Sequence, residues 1–307
     1  AFWPQLSGHR LRWKGKLHPH RLRPYTLLWL CGFEGYYSIS FQLIKITIIA
    51  DCNGSLPKLM KTRLLPSNMQ WLPEDWRPKI VAVDIDGTLT DDKKRINTEA
   101  ILALQRLEDA GIPVILATGN VRSITYGLWR FLQLSGPICC ENGGVLWHPQ
   151  WPEVIMRADG NEAREAALWL AQEIPNLNPQ GIESNAWRES EWCLFPSEDL
   201  QLIKQKISES EWSHLSVIRT GFAIHLMSPN LSKGKGIEVI LEKMELEPQD
   251  LLCVGDAPND LSMFELANWS IAVGGSFQEI QNAADVVSPY PHGDTFQPLV
   301  DAILNEG

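Results

Sequence analysis

Two short apolar runs, separated by a stretch with helical spacing, constrain this chain most strongly. The runs are Lys79 to Ile85 (KIVAVDI) and Pro113 to Ala117 (PVILA), and both are rich in β-branched residues. Between them, Asn97 to Ala110 has apolar residues at helical intervals, with Thr98 as the expected N-cap and Gly111 at its end. Apolar strands that alternate with helices are typical of parallel sheets covered on both faces. The pattern therefore predicts an α/β fold with a Rossmann-like parallel sheet and helices on both faces.

The second half of the chain contains a change of pattern and then a return to the first one. Short apolar strands such as Leu251 to Val254 again alternate with helices towards the C-terminal end. Before them lies a different order, in which helices alternate with strand-like segments such as Ala186 to Phe195. This order predicts a small α/β cap inserted into the first domain. The expected domains are a core of residues 78–157 and 230–307 and a cap of residues 158–229.

The N-terminal segment differs from the rest in charge. Residues 1–68 carry ten Lys and Arg residues and two acidic residues, whereas the whole chain has a net charge of −10. Met69 precedes the first well-patterned segment. We predict that residues 1–77 form a basic extension outside the fold. A targeting peptide and translated upstream sequence are the two explanations that remain open for it.

Composition argues against several partners. The strongly acidic remainder of the chain would repel a phosphate backbone, so nucleic acid is not expected as a partner. No run of roughly 18 apolar residues is present to span a bilayer, so no membrane association is expected. The six cysteines form neither a CxxC pair nor a zinc-like spacing. They are expected to be small core residues in a reducing compartment, which predicts a cytoplasmic location.

Acidic residues follow two of the predicted strands. Asp84 and Asp86 lie at the end of the first strand in DIDGTLT, and Asp256 and Asp260 lie after a later strand in GDAPND. In parallel sheets, ligands bind at the carboxyl ends of the strands. Carboxylates crowded at that edge repel one another unless a cation neutralises them. Because Mg²⁺ prefers oxygen ligands and commonly binds a substrate phosphate as well, the sequence predicts a magnesium site.

Other groups at the same edge suit the binding of an anion. Thr118 and Gly119 end the second strand and offer a hydroxyl and backbone N–H groups at a helix entrance. Lys233 precedes a helix in SKGKG, with Lys235 as the alternative cation. A nucleophile, a metal, a hydroxyl and a cation around one anion form a phosphoryl-transfer site, so a small phosphorylated metabolite is the expected partner. The simpler alternative is that the acidic residues form solvated turns or helix caps.

Four motifs together resemble those of the haloacid dehalogenase-like phosphatases. They are, in chain order, DIDGTLT (84–90), ATGN (117–120), SKGKG (232–236) and GDAPND (255–260). The expected cap lies between the second and third motifs, and four motifs in this order are far more specific than any one of them. The second motif, together with ENGG (141–144), NAWRES (185–190) and HLM (225–227), is similar to the archaeal-type phosphoglycolate phosphatases.

The resemblance implies a role for each core residue. Asp84 is expected to form an aspartyl-phosphate, and Asp86 to protonate the leaving alkoxide and then to deprotonate the attacking water. Thr118, Gly119 and Lys233 are expected to bind the phosphoryl group.

The resemblance also implies a metal-binding set. Asp84, the backbone carbonyl of Asp86, and Asp256 are expected to bind Mg²⁺, and Asp260 to bind or orient it. Family members close the cap over the core during turnover, which excludes water from the site.

The cap is expected to select the substrate. Arg188 is a candidate for a second substrate anion because arginine binds carboxylates bidentately, and a surface salt bridge with Glu189 or Glu191 is the alternative. His225 is interpreted as a core histidine, and residues 141–144 as a backbone turn.

The function that follows is Mg²⁺-dependent hydrolysis of 2-phosphoglycolate to glycolate and phosphate. A sugar-phosphate or mannosyl-3-phosphoglycerate phosphatase is the alternative within the same reaction class. A phosphomutase and a non-catalytic metal-binding domain are the alternatives outside it.

Overall fold

The computed structural model describes residues 36–41, 44–49 and 69–305. The chain divides into two compact units, Ala1–Asn68 and Met69–Gly307. In the first unit, strands β1 (Tyr36–Phe41) and β2 (Ile44–Ile49) form an antiparallel hairpin. The remainder of the predicted basic extension up to Asn68 lies outside the described residues, so its origin stays a prediction.

An eight-stranded, mostly parallel sheet forms the centre of the second unit. Its strands in chain order are β3 (Ile80–Val83), β4 (Val114–Ala117), β5 (Ile138–Cys140), β6 (Val145–Trp147), β7 (Ile155–Met156), β11 (Leu251–Gly255), β12 (Trp269–Gly274) and β13 (Val286–Pro291). Their spatial order is β13-β12-β11-β3-β4-β5-β6-β7. Pairing is parallel from β13 to β5, and β6 and β7 add an antiparallel edge. Since β11, β3 and β4 are neighbours, the residues that follow them meet at one edge of the sheet.

Helices cover both faces of this sheet. They are α1 (Thr98–Asp109), α2 (Arg122–Leu132), α5 (Lys233–Lys243), α6 (Leu261–Leu266), α7 (Gln278–Ala283) and α8 (Phe296–Leu304). Val81 and Val83 of β3 are buried in the core beneath α1 and α8, whereas Ile80 and Ala82 are buried in the core beneath α5 and α6. This alternation explains the unbroken apolar run in β3 and confirms the predicted fold class. Among the described residues, no helix combines the length and apolar character needed to cross a membrane.

Two local features differ from the sequence predictions. Asn97, not Thr98, caps α1, because the side chain of Asn97 accepts hydrogen bonds from the backbone N–H groups of the first turn. The sequence analysis also grouped residues 69–77 with the N-terminal extension. In the structure, Trp71 and Leu72 are buried in the core beneath α1 and α8. Burial of their apolar surface binds this segment to the core although it has no regular spacing.

Residues 158–229, which we call the cap, form a smaller α/β layer. Its elements are α3 (Asn161–Glu173), β8 (Glu191–Leu194), α4 (Leu200–Ser208), β9 (Ser216–Arg219) and β10 (Ile224–Met227). The three strands form an antiparallel sheet in the order β8-β10-β9, and apolar residues of both helices pack against it. The strand expected over 186–195 begins only at Glu191, because a 3₁₀ turn over Glu183–Trp187 precedes it.

The two segments that connect the cap to the core both contact the same residue, Gly143. Arg157, at the entry to the cap, donates a side-chain hydrogen bond to the backbone carbonyl of Gly143 at 2.9 Å. After the cap, the backbone of Ser232 lies so close that a Cβ atom on Gly143 would be 2.2 Å from the Ser232 carbonyl oxygen. Gly143 also has a φ of +87°, a conformation that favours glycine.

Candidate active site

Three carboxylates meet at the carboxyl edge of the central sheet. Asp84 follows β3 and donates its backbone N–H to the carbonyl of Val254 in β11 at 3.0 Å. Asp256 follows β11 directly, and Asp260 ends the 3₁₀ turn that comes next. Carboxylate oxygens of these three aspartates lie within 4.8 Å of one another. The parallel pairing of β3 and β11 thus brings together residues that are far apart in the chain.

Lys233 lies at the centre of this cluster. Its Nζ donates to Oδ1 of Asp84 at 2.5 Å and to Oδ1 of Asp260 at 2.6 Å, and its side chain is fully buried. Burial alone would lower the pKa of Lys233, but Asp260 and Asp84 outweigh this effect and raise it above its ordinary value. Lys235, the alternative cation, is exposed.

Burial and mutual repulsion disfavour the ionised forms of Asp84 and Asp256. Burial raises the pKa of Asp84 well above its ordinary value, and Lys233 opposes this effect while Asp260 and Asp256 reinforce it. Burial and the nearby Asp260 also raise the pKa of Asp256 to about 6. Crowded, buried carboxylates of this kind are stabilised by a bound cation.

The donor set of this cluster fits a divalent metal ion. Asp256 accepts a hydrogen bond from the hydroxyl of Thr88 at 3.1 Å, which fixes its carboxylate beside Asp84. Gly87 has a φ of +91°, and a Cβ atom there would lie 2.4 Å from Oδ2 of Asp256, so only glycine leaves room for this carboxylate. Hard carboxylate oxygens are the ligands that Mg²⁺ prefers.

Asp260 differs from the other two aspartates because both of its oxygens already have partners. Oδ1 accepts from Lys233, and Oδ2 accepts the backbone N–H groups of Asp256 and Ala257 at 2.9 and 3.0 Å. Two roles were expected for Asp260, binding the metal ion or orienting its ligands. Because both oxygens already accept hydrogen bonds, this geometry suits the orienting role. The same bonds form the turn after β11, so Asp260 also has the capping role that was the simpler interpretation.

Asp86 lies beside the cluster with different neighbours. Its Oδ2 accepts from Nδ2 of Asn120 at 2.5 Å, and its Oδ1 accepts from Nζ of Lys94 at 2.9 Å. Sequence reasoning missed both donors. Asn120 belongs to the ATGN motif, which was a usable signal, whereas Lys94 lies in the charged run DDKKR and resembles an ordinary surface lysine.

Thr118 and Gly119 follow β4 and lie where the core meets the cap. Thr118 is fully buried, and its hydroxyl accepts the backbone N–H of Asn120 at 3.0 Å. A Cβ atom on Gly119 would lie 3.2 Å from Cε1 of His225 and 3.3 Å from Cζ of Phe222. Both of these side chains belong to the cap, so the cap packs directly onto the residue that follows Thr118.

Arg188 is not at the surface. Its side chain is fully buried, forms an ion pair with Glu191 and donates to the backbone carbonyl of Gly119 at 3.0 Å. Nε and Nη2 of Arg188 have no hydrogen-bond partner among the described residues. The salt bridge with Glu191 that was the alternative interpretation is therefore present, but it is buried between cap and core rather than exposed. A contact of Arg188 with substrate stays a prediction.

Residues 141–144 do more than form the predicted turn. Glu141 and Asn142 both have positive φ, at 50° and 52°, which is uncommon for residues other than glycine. Nδ2 of Asn142 lies 3.1 Å from Oε2 of Glu191 and 3.2 Å from Nδ1 of His225, and its Oδ1 accepts from Asn259 at 3.0 Å. Asn142 thus connects the cap to the loop that carries Asp256 and Asp260.

Glu141 makes a second contact between cap and core. Its carboxylate accepts hydrogen bonds from the backbone N–H groups of Glu189 and Ser190 and from the hydroxyl of Ser190, at 2.8 to 3.1 Å. Burial, reinforced by the nearby Glu191, raises the pKa of Glu141 to about 7. His225 is buried as predicted, and its Nδ1 lies 3.0 Å from Oε1 of Glu191.

The class of protein follows from this fold and site together with a match to a family model. The model of haloacid dehalogenase-like hydrolases matches residues 81–173 and 190–295. The chain belongs to this family, which confirms the resemblance of its four motifs. It is an enzyme, and its class is that of the phosphatases.

Named relatives are consistent with this class. The chain is 35% identical over 216 residues to a phosphoglycolate phosphatase of Methanothermobacter thermautotrophicus, which covers 70% of this chain and 94% of that protein. It is 34% identical over 221 residues to a phosphoglycolate phosphatase of Archaeoglobus fulgidus, with 71% and 94% covered. The crystal structure of a Thermoplasma acidophilum protein superposes with a TM-score of 0.68 at 25% identity, covering 75% of this chain and 99% of that one.

Proposed function

We propose that this enzyme hydrolyses 2-phosphoglycolate to glycolate and phosphate with the help of Mg²⁺. The observation that carries the proposal is the buried cluster of Asp84, Lys233, Asp256 and Asp260, with Asp86 beside it. The cluster combines a carboxylate nucleophile, a fixed cation and a metal-binding set around one position. Relatives named as phosphoglycolate phosphatases support the choice of substrate.

In the proposed first step, a carboxylate oxygen of Asp84 bonds to phosphorus and the bond from phosphorus to the glycolate oxygen breaks. Asp86 gives its proton to that oxygen, so glycolate leaves as the alcohol. Lys233, which already contacts Asp84, places positive charge beside the phosphoryl oxygens. Thr118 and the backbone of Gly119 hold those oxygens from the adjacent strand end.

In the second step, water attacks the aspartyl-phosphate, and Asp86 takes up the proton of the water. Phosphate leaves, and Asp84 and Asp86 return to their starting states. Asp84, the backbone carbonyl of Asp86, and Asp256 would hold Mg²⁺, with Asp260 orienting the set. The ion supplies neutralisation of the negative charge on the phosphoryl group.

The contact between cap and core favours a small leaving group. Phe222 and His225 lie within 3.3 Å of the place that a Cβ atom on Gly119 would occupy. This close packing of the cap on the phosphate-binding strand end supports a small leaving group such as glycolate over a hexose. Arg188 and Glu191 reinforce the contact because their ion pair lies directly on the Gly119 carbonyl.

We also propose a cytoplasmic location. The four cysteines among the described residues, Cys139, Cys140, Cys193 and Cys253, are all free and buried. Free cysteines of this kind are typical of proteins from reducing compartments.

A panel of phosphomonoesters tests the proposal. The wild-type enzyme and the matched variant Asp84→Asn are assayed for phosphate release from 2-phosphoglycolate, 3-phosphoglycerate and hexose phosphates, with Mg²⁺ and with a chelator. We expect the highest kcat/KM for 2-phosphoglycolate, no turnover with the chelator, and none with the variant. A higher kcat/KM for hexose phosphates would instead support the sugar-phosphatase alternative, and transfer of phosphate to a sugar would indicate a mutase.

A further inference from the structure

Lys94 lies next to the proposed active site but has no role in the mechanism described above. It lies in the loop after the first motif, has a φ of +61°, and its side chain is about half exposed. Its Nζ lies 2.9 Å from Oδ1 of Asp86 and 6.0 Å from the centre of the Phe222 ring in the cap. Lys94 therefore lies between Asp86 of the core and Phe222 of the cap.

The position of Asp86 determines which part of a bound substrate lies near Lys94. To protonate the leaving oxygen, Asp86 must be within hydrogen-bond reach of it. In 2-phosphoglycolate, the carboxylate carbon is only two bonds from that oxygen. A cation that contacts Asp86 from the solvent side is therefore within reach of the carboxylate of a bound substrate.

Two other cations lie near the site. Lys233 is enclosed between Asp84 and Asp260. Arg188 is buried in its ion pair with Glu191, and because its Nε and Nη2 have no partner among the described residues, it is the competing site for an anion that the test below distinguishes from Lys94. An ammonium group has three N–H donors, and Asp86 accepts one of those of Lys94. Among the described residues, no second acceptor is found for Lys94, which leaves donors for a carboxylate that arrives with the substrate.

We infer that Lys94 binds the carboxylate of the leaving group, with Phe222 of the cap closing over this contact. The inference rests on the proposed function, because it assumes a leaving group that carries an anion next to the scissile bond. It assigns to this loop the selection of phosphomonoesters with a carboxylate beside the bridging oxygen. Sugar phosphates lack such a group and gain nothing from Lys94.

Two substrates and matched lysine variants test this assignment. 2-Phosphoglycolate is compared with 2-hydroxyethyl phosphate, which replaces the carboxylate by an uncharged CH₂OH group. Lys94→Met removes the charge at similar length, Lys94→Arg keeps it, and Lys93→Met removes the neighbouring charge. Lys93 is an apt control because it is exposed and forms no ion pair among the described residues.

We expect Lys94→Met to lower kcat/KM for 2-phosphoglycolate about ten- to a hundredfold more than for 2-hydroxyethyl phosphate, since a hydrogen bond to a charged group is lost. Lys94→Arg should retain most of the preference for the carboxylate, and Lys93→Met all of it. Because Lys94 is half exposed, each variant should fold, and circular dichroism checks this.

Each contrary result overturns a different statement. Equal losses for both substrates would show that Lys94 acts only on Asp86 and would overturn the carboxylate assignment. A selective loss in Arg188→Lys, with none in Lys94→Met, would move the carboxylate to Arg188. If the wild-type enzyme does not prefer 2-phosphoglycolate to 2-hydroxyethyl phosphate, the proposed function itself fails, before any variant is compared.

Discussion

Replacing Glu141 by glutamine tests the electrostatics that join the cap to the core. The carboxylate of Glu141 accepts hydrogen bonds from three donors of Glu189 and Ser190, yet it is buried close to Glu191. Burial, followed by repulsion from Glu191, outweighs the hydrogen bonds and raises the pKa of Glu141 from 4.5 to about 7. The Glu141→Gln variant removes this titration while keeping a side chain of the same length.

The size and sign of the effect follow from the pKa. A folded-state pKa raised from 4.5 to about 7 corresponds to about 3 kcal/mol between the two ends of the titration. Because the folded-state pKa is the higher one, the protonated carboxyl stabilises the fold below the unfolded value. This contribution is lost as the pH rises through about 7. The wild type should therefore lose about 3 kcal/mol relative to Glu141→Gln between about pH 4.5 and pH 8.

Urea unfolding of both proteins at several pH values, without added metal, measures this difference. The exposed residue Glu153 provides the control variant Glu153→Gln. Its free energy of unfolding relative to the wild type should change little over the same range. A difference between wild type and Glu141→Gln that stays constant from pH 4.5 to 8 would refute the reasoning, because it would mean that Glu141 titrates alike in both states.

Three further substitutions probe the catalytic cluster. Asp84→Asn should lower kcat by at least about a thousandfold while the protein stays folded, since it removes the nucleophile; phosphate release and circular dichroism check both parts. Lys233→Met leaves Asp84 and Asp260 without their cation and should lower the free energy of unfolding by about 3–5 kcal/mol without metal, measured by urea unfolding, and added Mg²⁺ should restore part of it. Gly87→Ala places a Cβ atom 2.4 Å from Oδ2 of Asp256, which displaces this carboxylate, and should weaken Mg²⁺ activation, seen as a higher Mg²⁺ concentration at half-maximal rate.

The central sheet and its acidic edge were predictable because both arise from short-range patterns. The apolar run of β3 and the acidic residue that follows it are adjacent in sequence, as are β11 and Asp256. Parallel pairing then brings Asp84 and Asp256 together without further information. The same logic placed Lys233 near them, since its motif begins a helix that packs on this sheet.

The contacts between the cap and the core were not predictable in this way. Lys94 and Asn142 acquire their contacts only when separate segments meet. The ENGG motif drew attention to Asn142 but predicted only a backbone turn, and nothing in the local sequence distinguishes Lys94 from a surface lysine. Arg188 shows the same limit, because its local sequence allowed both an anion-binding role and a salt bridge with Glu191 but did not indicate that this ion pair is buried. Trp71 and Leu72 were assigned outside the fold because a short irregular segment has no periodic signal, although its apolar side chains reach the core.

The meeting of both cap connections at Gly143 has an evolutionary consequence. Since the chain leaves and re-enters the core at adjacent points, a short turn could replace residues 158–229 without moving β7 or α5. Insertions of other size and shape could occupy the same place, because their two ends would also need to be adjacent and nothing else in the core would have to move. New substrate ranges can thus arise by exchanging this one inserted segment, while the residues at the edge of the central sheet are inherited unchanged.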